Sequence, residues 1–435
     1  MDPITVGFLG GTLLLVLLLM GMPIAFMMMF VGFLGIWYLT SMSAALPIVA
    51  QTLYGVTSHY PYTIIPLFIV MGSFAGAAGI TRELYVTFDK WFRRLPGGLG
   101  VATIAACAGF AAVSGSSVAA TAAMGNVALP EMRRFGYAPR LATGVVVAGG
   151  TLSFLIPPSL GFVVYGMLTE QSIGKLLIAG IFPGLLLSVA YSAVVIGWSM
   201  LNPAIAPASL EKVPFREKII SLKGIWETGL VFFIVMGGIY LGFINPTEAG
   251  AVGAFALFII VLLKGRMTWT STIACLLEAT RITVMVLFLV AGATVFSYFL
   301  AISTIPTTVS TWIAGLEVSR YVVLAIIAGI YFVLGCFLDA VSMMVLTLPV
   351  IFPVIVALHF HPIWFGVVAV LMMEAGLITP PVGLNVYTLA GIATDVPMAE
   401  IFKGATAFLI PILVLAVIMT IFPQIALYLP SLMGR

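Results

Sequence analysis

From residue 3 to residue 81 the chain carries no Asp, Glu, Lys or Arg. A soluble domain cannot hold so long a charge-free run, because its surface needs charge to stay in solution. Further uncharged runs cover 95–130, 141–169, 176–210, 282–316, 340–373 and 404–434. A bilayer-spanning helix takes roughly 20 apolar residues, so several of these runs hold two crossings, or one crossing and a re-entrant piece. Alternating segments of about ten residues, the mark of an outer-membrane barrel, are absent. Composition agrees, with 62% of the 435 residues hydrophobic and 8% charged. The fold class is all-α, a polytopic membrane protein.

The first apolar stretch does not read as a cleaved signal peptide. It opens with Asp2 rather than a basic residue, and its hydrophobicity runs past the usual cleavage range. Cys107, Cys275 and Cys336 all lie in apolar segments and form neither a disulfide framework nor a metal pattern.

The basic residues orient the chain. Lys90, Arg93, Arg94, Arg133 and Arg134 cluster, with Arg82 and Arg140 nearby; Lys212, Arg216, Lys218 and Lys223 form a second group, Lys264 and Arg266 a third. If all face the cytoplasm, an even number of crossings must separate them. Segments 141–169 and 172–199 make one return trip; 224–243 and 246–263 make the next, turning at Ile244–Thr247. Residues 95–130 then begin and end on the same side. With Gly100, Gly109, Gly115, Gly125 and the patch Ser114-Gly115-Ser116-Ser117, they read as a re-entrant hairpin turning at the patch. Such backbone is tolerated where protein or a water-filled cavity satisfies it. The alternative is one long tilted helix with small residues at its contacts.

An internal repeat follows. Leu155-Ile156-Pro157-Pro158-Ser159-Leu160-Gly161-Phe162-Val163-Val164-Tyr165 has a partner 222 residues on, Leu377-Ile378-Thr379-Pro380-Pro381-Val382-Gly383-Leu384-Asn385-Val386-Tyr387. Upstream, Pro130 matches Pro353 and Pro139 matches Pro362. Carrying the topology forward makes 320–356 a second hairpin, entered from the outside, so the second half is inverted. Paired spans broken by Gly and Pro in two halves point to a transporter's midplane site.

Charges inside spans are expensive and usually functional or paired. Asp339, at the turn of the second hairpin and opposite Ser116 at an offset of 223, suits a cation ligand supplemented by hydroxyl and carbonyl oxygens. Glu248 follows Pro246, where it can cap a helix as well as serve a site. Glu278 and Arg281, three apart, are candidate partners, and Arg281 contacts an anion only if that pairing fails. Glu374 stands about a turn before the second break. His59, His359 and His361 fall near loop ends in interfacial roles. No HExxH, CxxC, GxSxG or Walker A motif is present, so neither an enzyme nor an ATP-driven pump is supported.

These features together resemble the large, DctM-like membrane subunit of a tripartite ATP-independent periplasmic (TRAP) transporter, over essentially the whole chain. The likeness rests on Gly21-Met22-Pro23-Ile24-Ala25-Phe26, the patch 114–121, Ile156-Pro157-Pro158-Ser159, Asn245-Pro246-Thr247-Glu248-Ala249-Gly250-Ala251 and Ile378-Thr379-Pro380-Pro381-Val382-Gly383. It implies a bacterial or archaeal inner-membrane protein of the ion transporter superfamily, working as an elevator with sodium as the coupling ion and no other cofactor. The solute is an organic anion of the C4-dicarboxylate or sialic acid type. Expected partners are a periplasmic binding protein, a small four-helix membrane subunit on a separate chain and membrane lipids, but no nucleic acid.

The resemblance also implies a division of the chain. Scaffold helices occupy 1–79 and 223–299, and arms 80–95 and 300–319. Transport parts are 96–200 (hairpin 96–135, broken helix 141–169) and 320–430 (hairpin 320–356, broken helix 363–393), joined by a cytoplasmic linker, 201–222. Sodium ligands are expected at Ser114, Gly115, Ser116, Ser117, Thr121 and Pro158 in one half. In the other they are Asp339, Ser342, Gly376, Thr379 and Pro380. Solute contacts are expected at Ser116, Ser117, Ser159, Gly161, Pro381, Gly383 and Asn385. Ser159 against Pro381 makes the halves chemically unequal. The competing readings are a stand-alone sodium-coupled dicarboxylate carrier or exchanger, and a passive membrane scaffold.

Overall fold

A chain this apolar satisfies its backbone by forming helices, and the computed structural model, which describes residues 1–207, 213–315 and 317–433, is helical throughout the described residues. Glu211 and Lys212 of the linker lie outside the described residues. Six helices are long and apolar enough to cross a membrane, or eight if each of two bent pairs is one span. One bent pair is Pro139–Leu155 with Leu160–Thr169, turning through 40°.

Helix starts are written in the sequence. Proline occupies the first turn of Pro3–Leu19, Pro139–Leu155, Pro246–Leu263 and Pro362–Leu377, where its missing N–H costs nothing. Ser116, Ser159 and Asp339 cap the helices that follow them. Glu248 takes the capping role: its Oε2 accepts from Asn245 N at 2.8 Å while Asn245 Oδ1 accepts from Glu248 N at 2.8 Å.

Element order recurs along the chain. Ile24–Leu39 corresponds to Pro246–Leu263, and Ile80–Phe92 to Ile305–Ala314. Gly98–Ser114 and Ser117–Arg134 correspond to Arg320–Gly335 and Ala340–Ala357, and Pro139–Leu155 to Pro362–Leu377. The packing is reciprocal: Ile24–Leu39 lies along Trp269–Ile302, and Pro246–Leu263 along Ile64–Ala77. Glycines set these approaches, since a Cβ at Gly32 would stand 2.9 Å from Phe296 N.

Ile80–Phe92 is an amphipathic helix tied to its surroundings at both ends. Glu83 pairs with Lys264 at 2.5 Å and Arg266 at 3.1 Å, and Lys264 also pairs with Glu227 at 2.5 Å. Further along, Thr87 Oγ1 donates to Ser221 O at 2.8 Å and Trp91 Nε1 to Lys218 O at 3.2 Å. These last contacts join it to Phe215–Ser221 of the linker. Its other face packs on Gly98–Ser114.

Candidate functional site: two helical hairpins on two broken helices

The patch at 114–117 is a helix–turn–helix. Ser114 ends one helix, Gly115 turns the chain at φ +68°, and Ser116 caps the next by accepting from Ala119 N at 3.3 Å. Only glycine takes this φ without strain. A Cβ there would also stand 2.7 Å from Pro158 O, so the turn sits directly on the first break. Leu160 N donates to Gly115 O at 3.3 Å. In the break, Ser159 Oγ donates to Phe154 O and accepts from Phe162 N at 3.4 Å.

The second hairpin repeats the plan with different groups. Asp339 caps Ala340–Ala357, its Oδ1 accepting from Ser342 N at 3.0 Å and its Oδ2 from Ser342 Oγ. Cys336 O accepts from Val382 N at 3.1 Å and Gly383 N at 3.3 Å, docking this tip on the second break. Thr379 Oγ1 donates to Ala375 O at 2.7 Å. Gly376 and Gly335 let the two helices touch backbone to backbone, a Cβ at Gly376 standing 2.4 Å from Gly335 Cα. Each break contains one cis peptide, Pro157–Pro158 and Pro380–Pro381.

The halves interlock through Ser117. Its hydroxyl donates to Glu374 Oε2 at 2.8 Å and accepts from Asn385 Nδ2 at 2.6 Å. Thr121 Oγ1 donates to Ser117 O at 2.9 Å, wedged against Gly150. Glu374 is 1% exposed and Asn385 0%. Their remaining oxygens, Glu374 Oε1 and Asn385 Oδ1, have no hydrogen-bond partner. Each is a buried acceptor that a bound proton or cation would satisfy.

The structure thus brings Ser114, Gly115, Ser116 and Pro158 to one tip, and Asp339 and Ser342 to the other. Ser117, Thr121 and Asn385 form the buried link between halves, so Asn385 faces Ser117 and not open space. Ser159 and Gly161 are buried under Phe154. Ser116 is half-buried and Pro380 and Pro381 are exposed. A cavity of about 410 Å³ reaches the first tip, between Ser114–Ser116 and Ala119 on one side and Gly72 and Glu278 on the other. Glu278 forms no ion pair with Arg281 among the described residues, although their spacing makes them candidate partners; both residues are exposed. Gly72 belongs to the site and carried no sequence signal, because its role is close approach: a Cβ there would stand 2.8 Å from Ser114 O.

A sequence model of the family described as "Tripartite ATP-independent periplasmic transporter, DctM component" matches residues 12–425. The chain belongs to this TRAP transporter family. Among curated relatives, the C4-dicarboxylate TRAP transporter large permease protein DctM of Pseudomonas aeruginosa is 35% identical over 387 residues, 88% of this chain and 90% of that one. The isethionate TRAP transporter permease protein DctMQ of Oleidesulfovibrio alaskensis is 34% identical, covering 98% of this chain and 66% of that one. The sialic acid TRAP transporter large permease protein SiaM of Vibrio cholerae is 31% identical over 96% of each. A solved structure, the YdaH transporter of Alcanivorax borkumensis, shares the fold at a TM-score of 0.66 with 14% identity, covering 89% of this chain and 90% of that one. This TRAP permease is therefore a multi-pass inner-membrane transport protein and not an enzyme.

Proposed function

We propose that this chain is the subunit through which a small organic anion, delivered by a periplasmic binding protein, enters the cell together with sodium. The observation that carries this reading is the pair of hairpin tips, each docked on its own broken helix. The amino-terminal ends of Ser117–Arg134, Leu160–Thr169 and Ala340–Ala357 converge on the two tips, and such ends favour negative charge. Gly115 O, Pro158 O and the Asp339 carboxylate supply the oxygen ligands a hard cation takes.

In this reading 96–200 and 320–430 move as one block against the helices of 1–79 and 223–299, with 80–95 and 300–319 as the connecting arms and the second repeat inverted. The cavity beneath Ser116 is the route to one side of the membrane. Relatives named for C4-dicarboxylate, isethionate and sialic acid support an acidic solute. The DctMQ relative, longer than this chain, supports a small membrane subunit as partner. The test is uptake of labelled succinate and sialic acid into proteoliposomes containing this chain, the small subunit and the binding protein. Uptake driven by an inward sodium gradient is the expected result. Uptake that persists without sodium overturns the cation assignment.

A further inference from the structure

The two repeats differ where each hairpin's first leg meets the last spanning helix of its repeat. In the first, Gly97 and Gly100 bring Gly98–Ser114 directly onto Ile181–Leu201. A Cβ at Gly100 would stand 2.8 Å from Val195 Cγ1, and one at Gly97 2.4 Å from Ser199 Oγ. The positions 222 residues on are Ser319 and Val322, and no glycine remains to permit that contact.

Arg320–Gly335 and Leu409–Ile421 both pack on Pro362–Leu377 instead. Between them runs a groove of about 450 Å³. Val368 and Met372 line it, Ala328, Gly329 and Ala416 give it depth, and Phe332 flanks it. The outer flanks carry exposed apolar side chains, with Val322, Val417 and Ile421 between 49% and 64% exposed. The groove is therefore bordered by an exposed apolar surface.

A second cavity of about 210 Å³ shares Tyr321 and Thr420 with the groove, and Arg320, His359 and His361 line it together with Phe360, Trp364 and Pro423. Arg320 lies 5.1 Å over the Tyr321 ring and 5.2 Å over Phe360, and donates to Tyr321 OH at 3.2 Å. No carboxylate pairs with it among the described residues. His361 Nδ1 accepts from Ile363 N at 3.2 Å, which places the ring proton on Nε2 as a donor. All three residues stand at helix ends, the depth at which lipid headgroups lie.

We propose that this groove holds one anionic phospholipid, its phosphate on Arg320 and His361 and an acyl chain along Ala328, Met372 and Ala416. An apolar slot ending in a guanidinium that lacks an acid, with an imidazole N–H donor nearby, has that complementarity, since a guanidinium binds phosphate through charge-assisted hydrogen bonds.

The test is native mass spectrometry of the delipidated chain titrated with phosphatidylglycerol or phosphatidylcholine. The wild type retains one phosphatidylglycerol, with about tenfold preference over phosphatidylcholine, whose choline ammonium offsets the phosphate charge beside Arg320. Arg320→Gln erases the preference, and Ala328→Phe, which fills the slot without touching the headgroup cavity, weakens retention of both lipids. Equal retention of both lipids by the wild type overturns the proposal, as does unchanged behaviour of both variants. A cysteine at position 328 that cross-links to the small membrane subunit, with no lipid retained in the complex, would make the groove a protein interface and also overturn it.

Discussion

Replacing Gly376 by Ala tests how the second tip is held. The new Cβ would stand 2.4 Å from Gly335 Cα, 2.6 Å from Gly335 C and 2.8 Å from Phe332 O. Carbon atoms rest about 3.5–4.0 Å apart, and all three obstacles are backbone, so the hairpin leg must withdraw by about 1 Å. Cys336 follows Gly335 directly, and its carbonyl accepts from Val382 N at 3.1 Å and Gly383 N at 3.3 Å. A withdrawal of that size takes both beyond bonding distance. Two hydrogen bonds at about 0.5–1.5 kcal/mol each, plus overpacking of about 1–3 kcal/mol, give a loss of about 2–6 kcal/mol. Gly237→Ala is the control, because nothing lies within 4 Å of a Cβ there. Melting of the purified chain in detergent and uptake in proteoliposomes are the two assays. Gly376→Ala should melt well below the wild type and lose most uptake, while Gly237→Ala matches the wild type. If the two variants melt together, the close crossing does not hold the tip and the reasoning is refuted.

Three further outcomes are expected. Ser117→Ala leaves Glu374 Oε2 and Asn385 Nδ2 buried and unpaired, costing about 1–3 kcal/mol for each orphaned group, whereas Glu374→Gln keeps the bond to Ser117 and melts like the wild type; equal melting of Ser117→Ala would remove the interlock. Lys264→Met sets Glu83 and Glu227 against each other, and partial exposure limits the loss to about 2 kcal/mol; adding Glu227→Gln should restore most of it, and failure to do so would show the pairing to be incidental. Burial, reinforced by Lys175, holds His361 below its ordinary 6.5. The unfolded chain then takes up a proton first, so this histidine's contribution to stability is complete above pH 6.5 and is lost as pH falls below it. Melting followed from pH 7.5 downward (about two units) should show His361→Asn losing part of that slope; an unchanged slope would place the pH dependence elsewhere.

Much of this architecture was legible in the chain. The helix–turn–helix at 114–117 was legible in the Ser-Gly-Ser-Ser patch that breaks a charge-free run. The second hairpin followed from the repeat. Glu374 was visible as a charge near a break, but its partner was not, because the bond to Ser117 joins residues 257 positions apart. The bond from Asn385, which the resemblance places among the solute contacts, was hidden for the same reason: spacing places a residue at a break without saying which way the side chain turns. Glu278 and Arg281 show the converse, since three-residue spacing permits a pair without compelling one. Gly72 and Gly376 act only through what their missing Cβ atoms allow, which no motif records.

The link at Ser117 has a bearing on the symmetry of the chain. In the repeat alignment Glu374 and Asn385 stand opposite Leu152 and Val163, and Ser117 opposite Ala340 when the two 18-residue hairpin legs are matched. All three counterparts are apolar, so the buried polar triangle exists once and has no mirror image. A homodimer of either half would lack it, having the Ser117 hydroxyl without the carboxylate and amide, or the carboxylate and amide without the hydroxyl. The contact therefore joins the two halves through groups that differ between them, and neither half could form it with a copy of itself.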